Sequence, residues 1–525
     1  MMIRKRSLGL VTGTAAVLAM LLTACAGGGA VAGGGGGAAT GEPVSGGSAT
    51  VLMPNEVRTL DPAKIGNNTA AGGFIGNALY RALLLTDPEN GEIVPSMATA
   101  FTTDDGGKTF RLTLRDGLTF SDGSPLDAAA VQANWERMRD PETGSLYLSE
   151  ARLVASTEVT DPATLAVTMA EPTPSFPYSI VTSSLNWIAS PAALAQGGQA
   201  FDANPVGAGP FTLKEWRRQD ATEFVRNPRF WDAPRPYLET LTTRPSSDGN
   251  QRFNTVVSGG ADVAVEPSWR NLQKAEESGL ARDVLSLNGG VYVALNTRTA
   301  PFDDPRAREA FAAAIDPAAV NVSAFNGAAS LVDTAFTPSS PLHTGKPAGS
   351  PDPARAQELF DELAAEGKPV TFTFISSSST ESRSQAEAVQ AQLSAFTNVN
   401  MEVTTVDSGA IQGLQTSHDF QATISTAAFV DPEPRMSNAF SGDSAQNMTG
   451  LDDPEVNALL ATGRSATDPA ERTATYDALM QRLNELHVLP WLTRTASGAI
   501  SGTNVGGLAQ YGFGSLRADT LWVQP

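Results

Sequence analysis

The chain has 525 residues, a formal net charge of −20 and a single cysteine. This length allows two or three globular domains, and the acidic balance excludes recognition of nucleic acid or an anionic membrane surface through clustered basic side chains. One cysteine excludes an internal disulfide and a cysteine-based metal cluster.

The N-terminus has the pattern of a bacterial lipoprotein export signal. Three basic residues at positions 4–6 precede an uncharged run, 8–24, which leads directly into Cys25. The run is short for a membrane span, which needs roughly 20 apolar residues, and small residues precede the cysteine. Residues 1–24 are therefore predicted to be a cleaved signal peptide and Cys25 the lipidated first residue. The mature protein is predicted to sit on the outer face of the cytoplasmic membrane, because two or three acyl chains anchor a protein firmly.

A glycine-rich segment separates this signal from the remainder of the chain. Residues 25–47 contain almost no large apolar side chain, so they cannot bury enough surface to offset the entropy of ordering. We predict a flexible tether there, followed by a globular part of ordinary composition.

Regular elements are readable in the globular part. Thr109 to Leu114 alternates like a strand, and Asp127 is predicted to cap a helix that carries Trp135 and Met138 on one face. Further on, Asp-Pro pairs at 352–353 and 468–469 predict helix starts. Between about 287 and 491, helices alternate with strands, the last of them over 488–492. This alternation predicts one α/β domain with a largely parallel sheet.

The chain lacks the usual signatures of an active site. It has no G-x-S-x-G nucleophile elbow, and His343, His418 and His487 are not spaced like a metal-binding pair on a helix. The paired aspartates at 303–304 and 452–453 precede prolines, so we interpret them as helix caps. We therefore predict no enzyme activity, no metal site and no cofactor.

A set of segments in a fixed order carries a family resemblance. They are Thr59-Leu60-Asp61-Pro62, residues 105–123, Asn204-Pro205-Val206-Gly207-Ala208-Gly209-Pro210-Phe211, Arg226-Asn227-Pro228, Ala261-Asp262-Val263, Leu295-Asn296-Thr297, Pro301-Phe302-Asp303-Asp304 and Ala314-Ile315-Asp316. In these segments the chain resembles the family 5 extracellular solute-binding proteins of peptide and nickel importers of the ATP-binding-cassette (ABC) class.

The resemblance implies a two-lobed α/β fold of the periplasmic-binding-protein type. Lobe one would comprise residues 48–286 and 492–525, with an inserted subdomain near 82–199, and lobe two residues 287–491. The chain would cross between lobes near 287–290 and again near Pro490. A solute would bind in the cleft and be enclosed by hinge closure, and the protein, as a monomer, would deliver it to the permease and ATPase subunits of an importer.

The resemblance breaks where peptide binders of the family hold the peptide's ammonium. Their pattern places a tryptophan, two residues, an aspartate and an aromatic residue shortly before Asp-Pro. Here Phe429 and Asp431 fit, whereas Ser425 stands for the tryptophan and Ala428 for the ammonium-binding aspartate. The solute therefore either lacks a free α-amine or is held by a different group.

Two classes of function stay open at this point. The first is a binding protein for an oligopeptide, a modified peptide, an oligosaccharide or a metal chelate. The second is an extracytoplasmic sensor or enzyme on the same fold. Aromatic side chains suit apolar groups or sugar faces, so Phe429 and Trp269 are the predicted cleft aromatics, with Asp431 as a candidate polar contact.

Overall fold

Aspartate followed by proline begins five helices in the second half of the chain. Asp304, Asp316, Asp352, Asp453 and Asp468 each accept a hydrogen bond from a backbone N–H in the first turn of the helix that follows. Proline suits the next position because it has no backbone N–H, and an N–H at that position would have no partner within the helix. The helix starts predicted at 352–353 and 468–469 are thus confirmed, as is the interpretation of Asp304 and Asp453 as caps.

The computed structural model describes residue 39 and residues 41–524, all within a single compact unit. The predicted signal peptide, Cys25 and most of the predicted tether lie outside the described residues. Within the described part of the chain, no helix has the length and apolar character needed to cross a membrane.

The described helices, in chain order, are α1 Ala71–Leu79, α2 Ala128–Arg139, α3 Leu148–Ala151, α4 Phe176–Val181, α5 Pro191–Leu194, α6 Gly198–Ala203, α7 Gly249–Val257, α8 Trp269–Glu277, α9 Pro305–Ala314, α10 Pro317–Phe325, α11 Pro353–Ala365, α12 Thr380–Leu393, α13 Ser408–Ser417, α14 Arg435–Phe440, α15 Pro454–Ser465 and α16 Pro469–Glu485. The strands are β1 Ser48–Met53, β2 Leu84–Thr86, β3 Ile93–Pro95, β4 Ala98–Thr102, β5 Thr109–Leu114, β6 Val154–Asp161, β7 Thr164–Met169, β8 Phe211–Arg217, β9 Ala221–Arg226, β10 Thr240–Pro245, β11 Val263–Glu266, β12 Ala281–Val284, β13 Asn288–Leu295, β14 Val370–Ser377, β15 Val399–Val406, β16 Ala422–Phe429, β17 Trp491–Thr493, β18 Gly498–Ser501, β19 Val505–Gly506, β20 Gln510–Tyr511, β21 Ser515–Leu516 and β22 Trp522–Val523.

Lobe one is built on a seven-stranded sheet in the order β12-β18-β11-β1-β10-β9-β8. Strand β18 comes from the far end of the chain and pairs antiparallel with both β11 and β12. The lobe is therefore discontinuous in sequence.

A smaller antiparallel sheet, β4-β5-β7-β6, forms the inserted part of lobe one. Strand β5 covers the segment predicted from alternation, and Asp127 caps α2 through the backbone N–H of Ala130. Trp135 and Met138 on α2 are fully buried, as the predicted apolar face requires.

Lobe two contains a five-stranded sheet in the order β15-β14-β16-β13-β17. Strand β14 runs parallel to β15 and to β16, but β13 runs antiparallel to both of its neighbours, β16 and β17. The expectation of a largely parallel sheet is therefore right only for the β15-β14-β16 half. Strand β13 enters directly from lobe one rather than through a crossover helix of the α/β domain.

The last strand of lobe two is shorter than the sequence suggests. It covers Trp491–Thr493 rather than the whole of 488–492. The chain leaves the seven-stranded sheet after Val284 and enters the five-stranded sheet at Asn288, and it returns between Thr493 and Gly498. The second crossing segment is therefore residues 494–497. The resemblance placed this crossing near Pro490, a few residues earlier in the chain.

Candidate functional site

The two segments that join the lobes are tied together by one buried arginine. The Arg494 guanidinium, 8% exposed, donates to the carbonyl oxygens of Leu287 at 3.2 Å, Gly289 at 3.0 Å and Thr334 at 2.7 Å. Burial lowers the pKa of Arg494. A charged-group hydrogen bond is worth about 1.5–3 kcal/mol, so Arg494 holds the first crossing segment against the second.

Gly289 occupies a place in this hinge that only glycine suits. Its φ is +66°, and a Cβ there would overlap the carbonyl oxygen of Ala427 on the neighbouring strand. Because Gly289 adopts a left-handed backbone conformation and has no side chain, β13 can approach β16 closely at the point where the chain enters lobe two.

A small cavity lies between the lobes beside these crossing segments, with a volume of about 60 Å³. Lobe one, the first crossing segment and lobe two all contribute to its lining. The lining includes Thr86, Asp87, Asn90, Tyr178, Leu285–Asn288, Thr337, Ser339, Ser340, Phe429, Asp431 and Gly512. Sites for drug-sized ligands usually measure about 300–1,000 Å³, so the lobes must part for a solute of that size to enter.

Phe429 and Asp431 both line this cavity. Phe429 is 1% exposed and meets Phe336 edge-on, with ring centroids 5.7 Å apart. Its ring therefore both packs in the core of lobe two and forms part of the cavity wall.

Asp431 is held by an arginine of its own lobe. Both of its carboxylate oxygens accept from Arg472 on α16, at 2.7 and 2.8 Å, and one also accepts from the backbone N–H of Glu433 at 3.0 Å. Burial alone would lower the pKa of Arg472, but the charge and hydrogen bonds of Asp431 together with the neighbouring Tyr476 outweigh it, and the pKa is raised. A carboxylate with a bidentate guanidinium partner has its charge matched within the protein.

Ser425 and Ala428 lie on opposite faces of β16. Ser425 shares a face with Ala427 and Phe429, and it stands opposite Tyr292 of β13. Ala428 lies on the other face of β16, together with Ala422. Ala422 packs in the same hydrophobic cluster as the buried side chains of α12. The two positions therefore do not converge on one point.

Trp269 does not line the cavity shared by Phe429 and Asp431. It is the first residue of α8, 8% exposed, and its indole N–H donates to the carbonyl oxygen of Arg494 at 2.8 Å. The structure therefore places Trp269 against the second crossing segment, and its role as a cleft aromatic stays a prediction.

A second contact between the lobes lies on the α12 side of the lobe-two sheet. Ser268 of lobe one donates to Glu381 of lobe two, with an Oγ to Oε1 distance of 2.7 Å. Burial raises the pKa of Glu381, while the Ser268 hydrogen bond and the charges of Arg270 and Arg252 oppose the rise. Sequence reasoning missed Glu381, Ser268 and Arg472, since none belongs to a motif.

Two lobes joined by two crossing segments, with polar groups from both lobes facing each other, define a binding protein of the hinged, two-lobed class. In the comparisons with known proteins, the family described as Bacterial extracellular solute-binding proteins, family 5 Middle, matches residues 92–447. The chain belongs to this family, and it is an extracytoplasmic solute-binding protein of the ABC importer type.

Relatives and solved structures agree with this assignment. The glutathione-binding protein GsiB of Salmonella typhimurium is 30% identical over 365 residues, which cover 68% of this chain and 69% of the relative. The oligopeptide-binding protein AppA from Bacillus subtilis, solved with a nonapeptide, matches with a TM-score of 0.76 and 19% identity over 92% of this chain and 100% of its own. NikA from Brucella suis, solved with Fe(III)-EDTA, matches with a TM-score of 0.77 and 23% identity over 91% and 100%. The two structures show the shared fold, and these homologues are substrate-binding proteins rather than enzymes.

Proposed function

We propose that this chain is the lipid-anchored binding component of an ABC importer, which captures one small solute between its lobes and delivers it to the permease. The observation that carries the proposal is the cavity that lobe one, lobe two and the first crossing segment line together. A solute that touches all three is bound better by the closed arrangement than by an open one, which is the condition for hinge closure. The proposed lobes are residues 48–286 with 492–525, and residues 287–491.

The proposed solute is an oligopeptide or a modified peptide. Relatives whose names specify glutathione and oligopeptide binding support a peptide-like solute. The hydroxyl and amide groups of Thr86, Asn90 and Ser339 suit the polar backbone of such a molecule. Ala428 offers no carboxylate, and Asp431 is paired with Arg472, so recognition of the α-amine does not follow the pattern of the family's peptide binders.

Mass spectrometry of released small molecules tests this proposal. We expect protein purified from its native host and then denatured to release a peptide or peptide-like solute in an amount of about one per chain. The control is the same protein after unfolding, dialysis and refolding, which should release none. Release of an oligosaccharide or a metal chelate instead would replace the peptide class, and turnover of the solute by the purified protein would favour an enzyme.

Membrane attachment is proposed to depend on Cys25 alone, because the sequence has no other cysteine. We expect Cys25→Ala to move the protein from the membrane pellet to the soluble extracytoplasmic fraction, since stable anchoring requires acyl chains. Cell fractionation followed by immunoblotting measures this change. A variant that still pellets with the membrane would rule out lipid attachment at Cys25, and Ser48→Ala, in the globular part, serves as the unchanged control.

A further inference from the structure

A second cavity, which we call the lobe-two cavity, has a volume of about 520 Å³. Its walls come from the end of α9, the segment 348–352 and the residues that lead from the end of α16 into β17. None of its lining residues lines the cavity that contains Phe429 and Asp431. Sites for small ligands usually measure about 300–1,000 Å³, so the lobe-two cavity has the size of a ligand site.

Trp491 gives the lobe-two cavity a buried hydrogen-bond donor that lacks an acceptor. The residue lines the cavity and is 5% exposed, and its indole N–H has no partner among the described residues. Its ring packs edge-on against Tyr292, with ring centroids 5.7 Å apart, which holds the indole in place. A buried donor without an acceptor is unfavourable, and a bound molecule that brings an acceptor removes that cost.

The charged side chains of the lining already have partners within the protein. Arg355 donates to Glu309 at 2.8 Å, and Asp352 caps α11 by accepting from the backbone N–H of Arg355 at 3.1 Å. Glu485, which is exposed, lies 3.5 Å from Arg482. A charged ligand would therefore meet no unpaired charge of opposite sign in the lining.

The polar groups that remain in the lining are neutral. Asn484 and His487 are half-buried, and their side chains make no hydrogen bond to another described residue. Burial lowers the pKa of His487, while the charge of Glu309 opposes this shift and that of Arg308 adds to it. The imidazole is therefore uncharged at neutral pH. Much of the remaining wall is apolar and includes Ile315, Val332 and Leu489.

We propose that the lobe-two cavity is a second ligand site, which takes an uncharged molecule with an apolar body and a carbonyl or hydroxyl acceptor. The acceptor receives the hydrogen bond of the Trp491 indole N–H, and the apolar body packs against the wall. Asn484 and His487 offer further hydrogen bonds to polar atoms of the same molecule. The site goes beyond the proposed capture of a solute between the lobes, because all of its lining residues come from lobe two.

Ligand-observed NMR titration with two matched probes tests this site. Acetophenone carries a carbonyl acceptor on an aromatic ring, and ethylbenzene has a similar shape without the acceptor. We expect the wild-type protein to bind acetophenone more tightly than ethylbenzene by about tenfold, as one hydrogen bond allows. Trp491→Phe removes the N–H but keeps an aromatic ring, so it should bring the two affinities within about threefold of each other.

A second pair of variants shows whether the probes bind in the lobe-two cavity. Ala312 lines the cavity, so Ala312→Leu should fill part of it and weaken binding of both probes by about tenfold. Ala365→Leu is the control, because Ala365 lies at the exposed end of α11 outside the lining. The Ala312 variant also decides the question if Trp491→Phe does not fold.

Three results would overturn the proposal. The first is that neither probe binds the wild-type protein, because the cavity would then hold only water. The second is a preference for acetophenone that persists in Trp491→Phe. The third is probe binding that Ala312→Leu does not weaken, since the probes would then bind elsewhere.

Discussion

Replacement of Arg472 by methionine is expected to destabilise the protein by about 3–5 kcal/mol, because it leaves the Asp431 carboxylate buried and unpaired. The side chain of Asp431 is 5% exposed and that of Arg472 16% exposed. The two form a bidentate pair at 2.7 and 2.8 Å. Methionine keeps much of the volume of arginine, so the loss of stability would come from the missing charge rather than from a cavity.

Urea-induced unfolding measures this loss, and Arg482→Met is the control on the same helix. Arg482 pairs with Asp453, but its side chain is 29% exposed, and ion pairs that water can reach contribute little to stability. The double variant Asp431→Leu with Arg472→Met should recover a large part of the stability, because an apolar pair often replaces a buried ion pair without loss. Equal losses of unfolding free energy for Arg472→Met and Arg482→Met would contradict the conclusion that Asp431 depends on Arg472 as its buried charge partner.

Local chemistry explains which elements could be predicted from the sequence. The helix starts at Asp352 and Asp468 depend on a side chain that accepts from a backbone N–H in the next turn, and that information lies within four residues. The alternation of Val370, Phe372 and Phe374 likewise records which side of β14 is buried. Such signals do not depend on the rest of the fold.

The direction of β13 depends on the path of the whole chain and could not be predicted in this way. Alternating helices and strands indicate a parallel sheet only when each strand is reached through a helix of the same domain. Strand β13 follows the crossing segment from lobe one. It therefore enters the sheet from the hinge end and runs against β16.

The candidate site was predictable only in part, for the same reason. Phe429 and Asp431 come from one short segment and reach the cavity together. The partner of Asp431 is 41 residues away on α16, and the lobe-one partner of Glu381 is 113 residues away. The hydrogen bond of Trp269 to Arg494 spans 225 residues, so no local sequence signal could indicate it.

We expect the two lobes to close on one small solute, and closure should be large enough to change the dimensions of the molecule in solution. The hydrogen bond between Ser268 and Glu381 joins the two lobes in this structure. Shifting a hinge from almost fully open to almost fully closed requires about 10⁴-fold tighter binding to the closed state. A solute that contacts both lobes and the crossing segment gains this difference, because the open state loses the contacts to one lobe.

Small-angle X-ray scattering tests this claim most directly. The radius of gyration is compared for solute-free protein and for protein saturated with the solute identified by mass spectrometry, and a compound of similar size that does not bind serves as the control. We expect a smaller radius of gyration with the solute and no change with the control compound. An unchanged radius of gyration at saturation would contradict the account of a cleft that closes on its solute.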